Sequence, residues 1–216
     1  LINLPRIWSD FTVEERDKMS TTYSDEKSNE IIFGCFVTLK KINDDVIKLW
    51  SKVLKKFSNS KIYFKAPELH DVSIKKKLEK RFNNYEINSE RLILEESSDY
   101  DSYLKSYLKV DISLDPFPWN GATTSFESIW MGVPIFCLKG DELPYSKCAY
   151  SINKNLKMDS WIAEDEGDYI EKLEKILNNR KELFSLRKDL RNNAIKNNIF
   201  NSSKLSKDLS ELLNKV

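Results

Sequence analysis

Short, almost wholly apolar runs alternate with segments of helical periodicity along most of the chain, and this alternation constrains the fold more than any other feature. The apolar runs cover residues 31–37, 61–66, 92–95, 110–114, 135–138 and 161–163. Apolar residues recur about every 3.6 positions in the intervening segments, which predicts helices at about 46–57, 72–83, 97–108, 122–131, 146–153, 167–178, 180–194 and 202–214. Strands that are apolar on both sides need cover on both faces of their sheet. The sequence therefore predicts an α/β fold, a Rossmann-like parallel sheet with helices on both faces.

The domain organisation follows from the same pattern. Residues 1–29 are polar and irregular, and we expect a connecting segment there, followed by one α/β domain over 30–216. The chain begins at Leu1 without an initiator methionine, so we expect a fragment of a longer protein.

Composition narrows the possible partners and the compartment. The 35 basic and 34 acidic residues balance, which gives no general reason to expect a nucleic acid or a membrane as partner. No apolar stretch approaches the ~20 residues of a membrane helix, and no signal peptide is visible. The three cysteines, Cys35, Cys137 and Cys148, show no zinc or disulfide spacing, and two of them lie in predicted strands. We expect a reduced, cytoplasmic protein.

The segment from 115 to 127 is the main candidate for a ligand site, because ligands bind beyond the carboxyl ends of parallel strands. Asn120 and Gly121 form a turn that lets the backbone approach a ligand closely. The next residues present N–H groups and two hydroxyls at the positive end of a helix, where a diphosphate is favoured: Ala122, Thr123 and Thr124. Glu127 lies one turn further on the same face, where its carboxylate can accept hydrogen bonds from a ribose diol.

A structural alternative explains the same residues. Thr124 and Glu127 have the spacing of a capping box, in which both side chains only satisfy backbone donors at the helix start. The local pattern does not decide between the two interpretations.

The wider context resembles a known family. The run from Leu114 to Pro134, with Asn-Gly-Ala-Thr-Thr, Glu127 and then Trp-Met-Gly-Val-Pro, is similar to the C-terminal catalytic domain of the O-GlcNAc transferase/SPINDLY family. Upstream, residues 36–42 resemble its Phe-Asn-x-Leu-x-Lys-Ile block, and Gly-Asp at 140–141 and Ser-Lys at 146–147 resemble its downstream elements. The resemblance covers about 31–214 and implies the nucleotide-sugar-binding C-terminal half of a GT-B glycosyltransferase.

The resemblance also implies roles for individual residues near the phosphates. Lys41 matches the lysine that contacts the donor diphosphate, and an ammonium suits the charge that develops on the leaving group. Without the match, Lys41 would be interpreted as a solvated residue. Thr38 falls where the family often has a polar amide, and Val37 replaces an asparagine, so Thr38 departs from the pattern.

Three further positions match contacts to the base. Tyr103 matches the ring that stacks on uracil, although packing in the core beside Leu104 is an equal alternative. Ser98 and Tyr100 match backbone contacts to the base. Asp99 opens the same helix and is interpreted as its cap and not as part of a manganese motif.

The function implied is inverting transfer from UDP-GlcNAc, or a similar nucleotide sugar, to Ser/Thr hydroxyls of proteins, without a metal or other cofactor. The family's other half and its tetratricopeptide (TPR) repeats, which contact the acceptor, are absent, so we expect binding without transfer. A non-catalytic nucleotide-binding or interaction module and a GDP-fucose-dependent SPINDLY-like transferase stay open. A dinucleotide enzyme is disfavoured because no Gly-x-Gly-x-x-Gly follows a strand. His70, the single histidine, is expected in a loop.

Overall fold

A computed structural model describes residues 30–214, so the predicted connecting segment 1–29 lies outside the described residues. One six-stranded sheet has the order β3-β2-β1-β4-β5-β6, and all of its strand pairs are parallel. The strands are β1 (Ile31–Cys35), β2 (Ser60–Lys65), β3 (Leu92–Glu95), β4 (Ile112–Leu114), β5 (Ile135–Leu138) and β6 (Ile162–Ala163). The predicted parallel sheet and all six of its strands are confirmed.

Eight α-helices accompany the strands within the described residues. They are α1 (Asp44–Lys56), α2 (Val72–Asn83), α3 (Tyr100–Ser106), α4 (Thr123–Trp130), α5 (Cys148–Asn155), α6 (Glu166–Asn178), α7 (Arg180–Lys196) and α8 (Ser202–Leu213). Each predicted helix is present. Because right-handed crossovers connect parallel strands, α1 and α2 lie on one face and α4 and α5 on the other.

Local chemistry sets where the helices begin and end. Asn43 caps α1, since its Oδ1 accepts a hydrogen bond from the N–H of Val46 at 2.8 Å. The prediction that α3 begins at 97 is wrong by three residues: Asp99 caps the helix by accepting from the N–H of Ser102 at 3.0 Å. Gly132, with a φ of 70°, ends α4 in the left-handed conformation that favours glycine.

A buried ion pair ties α7 to the sheet. The guanidinium of Arg187 donates to Asp111 Oδ1 at 2.9 Å and to the carbonyl oxygen of Val110 at 2.6 Å. Asp111 Oδ2 accepts from the N–H of Ile32 at 2.8 Å, so the carboxylate joins the starts of β1 and β4. The late helix α7 thereby fixes the two central strands of the sheet.

The chain between Glu30 and Asn214 has no helix that is both long and apolar enough to cross a membrane. Cys35, Cys137 and Cys148 are free thiols and are all buried, as the apolar setting of the first two predicted.

Candidate functional site

The candidate site lies where the strand order of the sheet reverses. Strands β1 and β4 are neighbours at the centre, and the chain leaves them toward opposite edges of the sheet. The loops that follow two such strands separate and leave a crevice at the carboxyl edge, which is where α/β domains bind ligands. The loop after β1 carries Thr38 and Lys41, and the loop after β4 runs from Asp115 into α4.

The loop after β4 is held by its own polar groups. Asp115 Oδ1 accepts from the N–H of Gly121 at 2.7 Å, and the Asn120 amide donates to the carbonyl oxygen of Pro116 at 2.9 Å. The N–H of Asn120 donates to the carbonyl oxygen of Tyr145 at 3.0 Å. Asn120 and Gly121, which were predicted to contact the donor, therefore use these groups to shape the loop.

Gly121 is required by close packing. A Cβ at this position would lie 2.7 Å from Thr124 Oγ1, 2.8 Å from Ser125 Oγ and 3.1 Å from Asp115 Oδ1. These distances are shorter than van der Waals contact, so any side chain would push the loop away from the start of α4. The glycine thus keeps the loop and the helix start together.

The start of α4 contradicts the capping-box alternative. Helix α4 begins at Thr123, and its N-cap is Ala122, which makes no side-chain capping bond. Thr124 is therefore inside the first turn and cannot be the cap of a Thr–Glu capping box. The first N–H groups of any α-helix lack partners within the helix, so this end of α4 presents donors and a positive dipole to the crevice.

The carboxylate of Glu127 faces two tyrosines of α3. Tyr103 donates its hydroxyl to Glu127 Oε2 at 2.8 Å, and Tyr100 donates to Glu127 Oε1 at 3.0 Å. Tyr107 donates to the carbonyl oxygen of Thr124 at 3.0 Å. Tyrosines in α3 and directly after it thus contact the first two turns of α4.

Tyr103 is half-buried and packs on an aromatic cluster. Its ring meets Phe36 edge-on at 5.8 Å between centroids, and its hydroxyl lies 3.1 Å from that of Tyr107. Burial and the nearby Glu127 carboxylate raise the pKa of the Tyr103 hydroxyl well above its ordinary value. The core contact proposed as an alternative is thus present, and stacking on a base stays a prediction.

Lys41 reaches the donor loop. Its ammonium donates to the carbonyl oxygen of Asn120 at 2.5 Å and lies 5.3 Å from the centre of the exposed Trp119 ring. Burial lowers the pKa of Lys41, while the nearby Asp115 acts in the opposite direction. The structure therefore brings Lys41 to the loop that leads into α4, 79 residues away in sequence.

Asp115 is buried beneath this loop, and sequence analysis gave it no role. Burial raises its pKa to about 8, against the lowering effects of the Gly121 N–H and of Lys41. Burial thus favours the protonated form of this carboxyl group. The signal that could have identified it is its place directly after a fully apolar strand, at the carboxyl edge of the sheet.

Two predicted residues lie apart from this group. The Thr38 hydroxyl donates to Glu68 and so faces the loop after β2. Ser98 is exposed between β3 and α3, and its hydroxyl donates to the carbonyl oxygen of Asp99 at 3.3 Å. The structure brings together the other predicted residues: Lys41, Asn120, Gly121, Ala122, Thr123 and Thr124 around the loop, and Tyr100, Tyr103 and Glu127 around the carboxylate.

The remaining titratable candidates have structural roles. Asp99 acts as the cap of α3, which confirms that interpretation of the Asp-Tyr-Asp sequence. His70 is exposed in a short 3-10 turn, where its Nδ1 lies 2.7 Å from the carbonyl oxygen of Pro67. Across residues 30–214, no three His, Cys, Asp or Glu side chains come together as metal ligands.

Sequence comparison places this geometry among known proteins. Residues 13–209 match the family model described as Glycosyl transferase family 41. The chain is 25% identical over 183 residues to a probable UDP-N-acetylglucosamine–peptide N-acetylglucosaminyltransferase SPINDLY of Solanum lycopersicum, covering 84% of this chain and 20% of that protein. It is 23% identical to the corresponding SEC protein of Arabidopsis thaliana, covering 97% of this chain and 22% of that protein. The chain thus spans about a fifth of the length of these relatives.

Solved structures share the fold. A mutant of the Thermobaculum terrenum O-GlcNAc transferase superposes with a TM-score of 0.82 at 24% identity, over 90% of this chain and 37% of that one. The pneumococcal O-GlcNAc transferase GtfA, in complex with UDP and GlcNAc, gives a TM-score of 0.54 at 16% identity, over 90% of this chain and 38% of that one. The predicted Rossmann-like α/β class is confirmed, and these neighbours are glycosyltransferases.

Proposed function

The chain belongs to glycosyl transferase family 41, and from this premise we propose that it is the donor-binding domain of an inverting protein O-glycosyltransferase. The donor is UDP-GlcNAc or a related nucleotide sugar, and the acceptors are Ser/Thr hydroxyls of cytoplasmic proteins. The names of its relatives support UDP-N-acetylglucosamine as the donor and a peptide as the acceptor. The observation that carries the proposal is the start of α4, which presents backbone donors beside Lys41 on one side and Glu127 on the other.

The diphosphate binds at the start of α4. Backbone N–H groups of Ala122, Thr123 and Thr124 face the phosphate oxygens, as at other helix starts that bind anions. Lys41 supplies a positive charge on the same loop. Because burial disfavours the ionised form of Asp115, this carboxyl group opposes that charge less than an exposed carboxylate would.

The nucleoside binds toward α3. Glu127 already accepts two hydroxyl groups, one on each carboxylate oxygen, from Tyr100 and Tyr103. This geometry supports a ribose site, since a vicinal diol offers the same two donors. The base then lies along Tyr103 and the backbone of Ser98 and Tyr100.

Transfer follows from this arrangement together with a second domain. The acceptor hydroxyl oxygen bonds to the anomeric carbon from the face opposite the diphosphate, and the bond from that carbon to the UDP oxygen breaks. The electron pair of the broken bond leaves with UDP, and the hydroxyl proton passes to solvent. Lys41 and the helix start stabilise the negative charge on the departing diphosphate. The acceptor is bound by a second half and by TPR repeats that are not part of this domain. The chain alone therefore binds the donor and transfers nothing. The domain needs no metal ion or cofactor.

A calorimetric titration of the 216-residue chain with UDP, GDP and NAD tests the proposal. We expect UDP to bind and NAD not to bind. Preferential binding of GDP would indicate that the donor is a GDP-sugar, as in a fucose-transferring SPINDLY-like enzyme. No binding of either nucleotide would refute the proposal and favour a non-catalytic interaction module.

A further inference from the structure

A buried lysine lies at the carboxyl end of β2. Lys65 is 1% exposed, and no other lysine between Glu30 and Asn214 is buried to this extent. Its ammonium donates to Glu95 Oε1 at 2.6 Å and to the carbonyl oxygen of Glu96 at 3.1 Å. Lys65 and Glu95 are direct neighbours in the register of β2 and β3, so the sheet itself aligns the pair.

Glu95 accepts hydrogen bonds from two more residues. Its Oε2 accepts from the Tyr63 hydroxyl and from Lys109 at 3.3 Å. Burial would raise the pKa of Glu95, but Lys65, Tyr63 and Lys109 outweigh it and hold the pKa at about 2. The carboxylate is therefore ionised throughout the physiological range. We call Lys65, Glu95 and Tyr63 the Lys65 network.

Packed rings connect this network to the candidate site. Tyr63 meets the Phe36 ring edge-on at 5.4 Å between centroids. Phe36 in turn stacks on Tyr107 at 4.0 Å and contacts the edge of Tyr103 at 5.8 Å. Movement of Tyr63 would therefore displace Phe36 and, through it, the Tyr103 ring.

The network also fixes a short segment, the base loop (residues 96–99), which joins β3 to α3. Its first carbonyl oxygen, on Glu96, is held by Lys65, and its last residue, Asp99, is held as the cap of α3. All of its residues are exposed, so packing gives them little order. The two hydrogen-bonded ends therefore define the path of the base loop.

Stability alone does not explain a buried lysine. Removing the Lys65 ammonium from water costs several kcal/mol, while its partner Glu95 keeps 38% of its side chain exposed, and apolar replacements of buried charged groups in ion pairs are often as stable as the originals. The geometry points to a positioning role: the Lys65 network holds the base loop and the Tyr103 ring in the arrangement that recognises the nucleobase. This role rests on the proposed function, which places the base at Tyr103 and Ser98.

Two variants and a matched control test the role. Lys65→Met removes the ammonium, and Glu95→Gln keeps the shape of the side chain while it removes the charge. Lys61→Met is the control, because Lys61 lies at the opposite end of the same strand and pairs with Glu30 at 3.1 Å. Calorimetry with UDP and with inorganic pyrophosphate then separates recognition of the nucleoside from binding of the phosphates.

We expect Lys65→Met and Glu95→Gln to weaken UDP binding about tenfold, because the loss of a hydrogen bond to a charged group lowers the population of the loop arrangement that binds the base by about that factor. The affinity for pyrophosphate should stay within about twofold of that of the unaltered chain. The Lys61→Met control should bind both ligands with unchanged affinity. If UDP and pyrophosphate weaken together in Glu95→Gln, the network supports the whole domain and the positioning role is refuted.

Hydrogen exchange gives a second readout that needs no nucleotide. The amides of Ser102 and Tyr103 donate to Asp99 at the end of the base loop, and they should exchange faster in Lys65→Met than in the unaltered chain or the Lys61→Met control. Unchanged exchange in Lys65→Met would overturn the inference even if that variant binds UDP more weakly. If the unaltered chain binds neither UDP nor pyrophosphate, the proposed function fails and base recognition fails with it, while the exchange rates still show whether the network holds the loop.

Discussion

Replacing Lys41 by methionine should separate the phosphate contact from every other feature of the site. The ammonium already donates to the carbonyl oxygen of Asn120 at 2.5 Å. A diphosphate that binds beside it therefore costs little further conformational entropy of the lysine side chain. A hydrogen bond to a charged group contributes about 1.5–3 kcal/mol. That range corresponds to about a 10- to 150-fold weaker affinity for UDP in Lys41→Met.

The neighbouring Lys40 supplies the control. It lies in the same 3-10 turn as Lys41 but is exposed. Lys40→Met therefore changes the net charge equally without removing the proposed contact. Titration calorimetry of both variants with UDP, with thermal unfolding to confirm the fold, gives the comparison. Equal affinities for UDP in the two variants would refute the placement of the diphosphate beside Lys41.

Three further predictions concern the ribose site, the core and the buried acid. Glu127→Gln should weaken UDP about tenfold and leave pyrophosphate unchanged, since only the nucleoside carries the diol; calorimetry showing equal losses would contradict a ribose contact. Arg187→Met should lower the free energy of unfolding in urea by about 3–5 kcal/mol, because it removes one partner of a buried ion pair, the guanidinium that donates to Asp111. The exposed Lys181→Met on the same helix should change the free energy of unfolding little. The pKa of Asp115 is raised to about 8 in the folded protein, so its contribution to stability is complete below about pH 4 and is lost as the pH rises to about 8. The difference in unfolding free energy between the unaltered chain and Asp115→Asn should fall by up to about 5 kcal/mol between about pH 4 and about pH 8. If this difference does not depend on pH, Asp115 does not titrate in that interval.

The sheet could be predicted from the sequence because each strand is apolar on both sides, and only a parallel sheet between two helical layers covers both faces. The helix predicted at 46–57 lies within two residues of α1 at both ends, and its cap, Asn43, directly precedes the helix. The range predicted for α3 began three residues too early, although Asp99 was interpreted correctly as the cap of the helix. These features depend on residues a few positions apart.

The polar contacts of the site could not be predicted in the same way. Thr124 and Glu127 have capping-box spacing, but the partners of Glu127 are tyrosines 24 and 27 residues earlier in the chain. The partner of Lys65 could not be predicted either, because Glu95 is adjacent to it only through the register of two strands. Which acid meets which donor is decided by the order of strands in the sheet, and the local sequence does not contain that order.

The charge of the site depends on this tertiary arrangement. A diphosphate site needs positive charge that no nearby carboxylate neutralises, yet Asp115 lies next to the loop that Lys41 contacts. Burial reduces the conflict, since it raises the pKa of Asp115 to about 8 and so favours the protonated form of the group. The protonated acid still accepts the Gly121 N–H and so shapes the loop without opposing the lysine. The same burial that organises the backbone of the loop thus keeps the positive charge of Lys41 available to an anion.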